Sequence, residues 1–215
     1  MKKLISIVLL SSALITITNM GWAQPIDDNN NIIQISNSQL EFKMDMRKLW
    51  EDHITYTRNY IISALGNMKD VGTIAKRLLK NQDDIGNAIK PYHGDAAGKK
   101  LSFLLRNHIL IASQVVQAAN DNNKELLTEE ESKWKANADD IADFLSATNS
   151  DWDKKDMADM LYKHLALTTG EILSRLDMNW QEDVENYDKN HIHMLVFSDM
   201  LTDGIIKQFP EKFSK

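Results

Sequence analysis

A histidine recurs three times in the same helical setting, and a chain with that repeat has few ways to fold. The repeats read His53-Ile54, His108-Ile109 and His164-Leu165. A large apolar residue stands three places earlier (Trp50, Leu105, Leu161), a small one four later (Thr57, Ala112, Thr168) and a β-branched one eight later (Ile61, Val116, Ile172). Those spacings put every member on one stripe of an α-helix. A second element alternates with the first: Asn81-Gln82-Asp83-Asp84-Ile85, Asn137-Ala138-Asp139-Asp140-Ile141 and Asn190-His191-Ile192-His193-Met194. The alternation predicts an all-α, antiparallel helical bundle built from three tandem hairpins, about six helices in total.

The boundaries follow from caps and breakers. A first helix is expected over 40–65, ending at Gly66-Asn67, and a second over 71–89, stopped by Pro91 before a Tyr92-His93-Gly94-Asp95 loop. A third begins near Ala96 and carries Leu101, Leu104, Leu105, His108 and Ile111 on one apolar stripe. Thr128 and Glu131 have capping-box spacing for a fourth. The fifth and sixth are expected over 153–176 and 180–206, before Pro210. The midpoint of His53 and Asp84 falls near Met68, that of His108 and Asp140 at Lys124, and that of His164 and His193 near Met178. Each lies in or beside an expected turn. In antiparallel helices, residues equidistant from a turn are level, here about 22 Å from it at 1.5 Å per residue. The six groups are therefore expected in one layer of the bundle.

Bulk properties remove several function classes. Lys2 and Lys3 precede a short apolar run, Leu4 to Ile17, and Gly21-Trp22-Ala23 has the small-x-small form of a cleavage site. Residues 1–23 thus read as a signal peptide, 24–39 as a flexible Asn-rich leader and 40–215 as one bundle domain. The run is too short for an integral membrane span. With no cysteine there is neither a lipid-accepting thiol nor a disulfide, and the expected location is periplasmic or secreted. The formal charge is −6, and cleavage would remove two lysines and no acid. An acidic chain disfavours nucleic acid and anionic lipid and suits a cation or a basic partner.

Histidines from different helices are how bundles gather transition metals. His53, His108, His164 and His193 are the candidate ligands; Asp84 and Asp140 would ligate or orient the imidazoles; Asn81, Asn137 and Asn190 would stand behind them. A nitrogen-rich set without thiolates favours Zn(II) or Cu(II) as the divalent ion, and another small ligand at the same layer is also open. A di-iron centre would want Glu-x-x-His pairs, whereas the residues three places before these histidines are Trp50, Leu105, Leu161 and Asn190. The competing expectation is a polar layer satisfied within itself, each His bonded to Asp or Asn and serving only to fix register. The protein would then be a non-catalytic interaction or structural envelope protein, with an apolar groove for a partner.

Other groups read as packing or surface. His191 and His193 splay apart on a regular helix by about 200° and do not chelate one ion. His93 is expected in a solvated loop, and Arg58 as a snorkelling surface residue. No Gly-x-Ser-x-Gly elbow or Gly-rich phosphate loop is present, so no nucleophilic or phosphoryl-transfer chemistry is indicated.

The strings WEDHITYTRNYIISAL, LLKNQDDIGNAIKPYHGDAAGKKLSFLLRNHILIA, WKANADDIADFL and SDMLTDGIIKQFP resemble a family of small secreted or soluble bacterial helical proteins. The resemblance runs from about Leu49 to Phe213. Members have often carried an automatic glycosyltransferase label. The chain itself has no parallel-sheet pattern and no DxD placed after a strand. The resemblance implies a helical fold and export, and no particular reaction.

Overall fold

The computed structural model describes residues 35–214, and the expected signal segment and most of the leader lie outside them. Among the described residues the chain is all-helical, with five α-helices and one short 3-10 turn. Helix α1 spans Asn37–Leu65, α2 Val71–Asn120, α3 Lys124–Thr148, α4 Lys154–Leu176 and α5 Trp180–Gln208. No helix among them is long and apolar enough to cross a membrane.

Two starts differ from the sequence reading, each for a local reason. Helix α1 begins earlier than expected because Ser36 and Gln39 form a reciprocal capping box. Helix α3 begins at Lys124 because the Asn123 side chain accepts from the Leu126 amide. Thr128, expected as that cap, instead turns its hydroxyl back onto the Lys124 carbonyl inside the helix. Asp153 caps α4 by accepting from the Asp156 amide.

The larger correction concerns Pro91. Helical structure runs through it to His93 and is interrupted only at Gly94, whose φ of 82° and ψ of 170° are open to glycine and strained for other residues. What was expected as a loop between two helices is thus one residue. The two arms of α2 fold back on one another there: a Cβ on Gly86 would stand 2.5 Å from the Gly98 carbonyl oxygen, and one on Gly98 would stand 2.5 Å from that of Gly86. Only glycines allow the backbones that close. Farther along, Arg106 on the second arm reaches Asp83 on the first at 2.9 Å.

The segments close into a ring. Helix α1 packs on α2 and α5, α3 on α2 and α4, and α4 on α5. The buried core runs along its interior: Met46, Trp50, Ile54 and Ile61 from α1 meet Ile85, Leu101, Leu105 and Val115 from α2, Ile141 from α3, Leu161 and Ile172 from α4, and Phe197 and Leu201 from α5. Fully burying aliphatic and aromatic side chains like these contributes roughly 1.5–3 kcal/mol each. That core holds the histidine stripes inward.

Candidate functional site

Three of the histidines meet. His53 of α1, His108 of the second arm of α2 and His164 of α4 are each 2% exposed. Their ring centroids stand 5.4 Å (53–164), 5.8 Å (108–164) and 6.5 Å (53–108) apart. These three rings stand side by side in the interior of the bundle.

The hydrogen bonds fix two of the tautomers. Asn137 donates its amide to the Leu104 carbonyl, so its oxygen faces His108 Nδ1 at 2.9 Å and that nitrogen carries the proton. The His108 Nε2 lone pair accepts from the Trp134 indole at 3.1 Å. Between α4 and α5, Thr168 donates to the His164 carbonyl and therefore accepts from the Asn190 amide at 2.9 Å. The Asn190 oxygen is left to accept from His164 Nδ1 at 2.8 Å. His164 Nε2 keeps a free lone pair, with no hydrogen bond to it from any described residue.

The packing of α1 on the first arm of α2 departs from this plan. Asn81 donates to the Leu49 carbonyl at 2.9 Å, as Asn137 does to Leu104, but its oxygen is taken by the neighbouring Gln82 amide at 3.0 Å. The Gln82 carbonyl oxygen approaches the His53 ring closely enough to favour a proton there, without reaching hydrogen-bond geometry. His53 Nδ1 and Gln82 Oε1 are both buried and unpartnered. Buried polar atoms rarely stay unpaired without a water, an ion or a function to account for them.

All three rings are neutral. Desolvation, then the neighbouring imidazoles, pushes His53 well below its usual range. Burial lowers His108 to about 3 and His164 to about 4, partly opposed by the asparagine bonds. A neutral imidazole with its Nδ1–H tied to a carbonyl is the form in which histidine binds metal.

The other expected site residues stand elsewhere. Asp84 lies partly exposed on the flank of α2, ion-paired with Lys80. Asp140 is exposed on α3. Asn81, Asn137 and Asn190 occupy the centre of the buried stripe, and the position three residues on, about 60° round the helix, falls at its edge, where Asp84 and Asp140 meet solvent. His193 holds that outer position on α5: its Nε2 meets the Met160 carbonyl at 2.8 Å, and its ring borders an outer groove. The layer is therefore His/Asn/Gln/Trp in composition, not His/Asp/Asn. Among the described residues no three His, Asp or Glu side chains converge as a ready-made ligand set.

A second buried polar cluster escaped the sequence reading. Arg58, expected at the surface, donates to Glu171 at 2.7 Å and to both Asp183 oxygens at 2.6 and 3.0 Å. Arg175 adds a bond to Asp183 at 2.9 Å. Glu171 and Asp183 are only 2% and 1% exposed. Burial drives the Glu171 carboxyl up to about 7 against the pull of Arg58. The signal was present in the spacing: Glu171 is two turns after His164 and Asp183 two turns before Asn190, so both share the inward stripes. His93 is also misplaced by sequence; its ring packs against Phe209 and Trp152 at centroid distances of 5.1 and 5.7 Å.

Comparison with family models gives no match to this chain, and neither curated proteins nor solved structures match it.

Proposed function

We propose that this chain is an exported binding protein that takes a divalent transition metal ion, Zn(II) or Cu(II), between His53, His108 and His164. The observation behind the reading is the triangle of rings. A tetrahedral ion held by ring nitrogens at ~2.0–2.1 Å sets imidazole centroids roughly 5.2 Å apart. The three observed separations are 5.4, 5.8 and 6.5 Å, the longest little more than an ångström above that spacing. Asn137 and Asn190 already orient two of them from behind. Gln82 Oε1, beside the His53 ring, is the counterpart of those asparagine oxygens. In this reading the three repeats supply one histidine apiece to one shared centre, two of them backed by asparagine. No reaction is assigned.

Trp134 is the obstacle, because its indole occupies His108 Nε2. That bond favours a second reading, in which the layer fixes helix register and binds nothing. Elemental mass spectrometry and calorimetric titration with Zn(II) and Cu(II) separate the two. The metal reading expects one equivalent bound, its loss in a His53→Ala, His164→Ala double variant, and tighter binding by Trp134→Phe, by at least about tenfold, as His108 is released. No uptake by either the wild type or Trp134→Phe would leave the layer as a register device.

A further inference from the structure

The outer face of α4 and α5 carries a groove of about 720 Å³ that plays no part in the histidine layer. Met160, Leu167 and Met200 line it, and Ile192 and Val196 stand 66% and 48% exposed along it. Neighbouring exposed apolar side chains on one helix face mark a contact surface. The charges around them indicate what the contact is with.

Helices α4 and α5 run antiparallel, with their register fixed by the bonds from His164 to Asn190 and from His193 to Met160. That register sets Ile192 and Val196 level with the stretch of α4 around 158–162. Lys163 and Lys189 lie toward the α4–α5 turn, and Asp156 and Asp159 lie toward the opposite end. Each pair is about one turn or less from the apolar centre. Lys163 and Asp156 make no ion pair among the described residues, while Asp159 meets only exposed Lys155 and Lys189 lies 3.7 Å from Glu185.

Such a face is complementary to itself. A two-fold axis through the point between Ile192 and Val196 turns a second copy end for end. Lys163 of one copy then stands opposite the Asp156–Asp159 end of the other's α4, Lys189 reaches across the groove toward Asp156, and the two apolar centres meet. A ligand of single charge sign would match only half of the groove. We propose that this face is the interface of a symmetric homodimer, in which α4 and α5 of two copies form a four-helix contact.

Sedimentation velocity of the purified chain, up to roughly 100 μM and at low and high salt, tests this. The wild type is expected to dimerise, and Ile192→Asp to be monomeric with an unchanged helical circular dichroism spectrum. Two charge variants make the decisive experiment. Lys163→Glu with Lys189→Glu makes the face wholly acidic, and Asp156→Lys with Asp159→Lys makes it wholly basic. Each alone is expected to be monomeric, and an equimolar mixture is expected to form a heterodimer that salt weakens. A wild type that stays monomeric across the range would overturn the proposal and leave the groove to a small ligand or another protein. So would a wild-type dimer that survives Ile192→Asp, or charge variants that fail to pair when mixed.

Discussion

The bundle buries two polar clusters about two helical turns apart, and they meet the cost of burial in opposite ways. The histidine layer gives up its charge: three imidazoles share a space that holds no carboxylate, and each stays neutral. The Arg58–Glu171–Asp183–Arg175 cluster keeps charge and pairs it, with two guanidinium groups against two carboxyls. Desolvation is the largest influence on Glu171 as it is on the histidines. The lesson is that one core can hold a neutral, adaptable layer beside a rigid ionic one. The free lone pairs lie in the first.

Acid should break the comparison most strongly. The folded-state values of His108 and His164, about 3 and about 4, lie below the ordinary 6.5. Their stabilisation is complete above 6.5 and is lost as pH falls toward the folded values. Glu171 runs the other way: its folded value of about 7 exceeds the ordinary 4.5, so its contribution is greatest below 4.5 and is lost as pH rises through 7. Between these limits three histidines outweigh one glutamate. Urea unfolding is expected to show a net loss on the order of 5 kcal/mol from pH 7 to pH 4. A midpoint that does not move would mean that the rings are not buried neutral.

Arg58→Met should come next. It leaves Glu171 uncompensated and Asp183 with Arg175 alone, a loss of about 3–5 kcal/mol. Adding Glu171→Gln and Asp183→Asn should restore part of that stability, because the unpaired charge is what costs. The same denaturation curves would show it, and a triple variant weaker than Arg58→Met would refute the pairing account.

Within the histidine layer the effects should be smaller and unequal. Asn190→Leu orphans His164 Nδ1 and a Thr168 acceptor, with an expected loss of about 2–3 kcal/mol. Gln82→Leu gives up no bond at the Gln82 oxygen but orphans the Asn81 oxygen that its amide serves, and should cost about 1–2 kcal/mol. Thermal melts of the pair sharpen the contrast between the closed and open parts of the layer, and equal losses would erase it.

How legible all this was depends on periodicity. The stripe carrying His53, His108 and His164 shows in the sequence because three- and four-residue spacing survives translation into a helix face. Asn137 and Asn190 were placed one turn from the layer, yet they are the groups that reach the imidazoles, because an amide side chain on an adjacent stripe leans across to its neighbour. Asp84 and Asp140 matched the turn arithmetic but not the helical phase, and phase decides which side chain points inward. Arg58 was misread because nothing local tells a snorkelling arginine from one whose partners lie more than a hundred residues away. Pro91 gave the opposite error: a helix breaker in the sequence, it is carried within helical structure that turns only at Gly94.

That turn also limits how the chain can be re-engineered. The connections at Gly66–Asp70, Asp121–Asn123 and Asp177–Asn179 are short exposed links outside the helices, and loop tips of this kind accept inserted domains or new termini. Gly94 offers no such slack, since Gly86 and Gly98 already hold the two arms in near contact. A fluorescent reporter spliced in at Asp121–Asn123 should leave the bundle intact, whereas the same insertion at Gly94 would have to prise apart the pair of helices that delivers His108 to the centre.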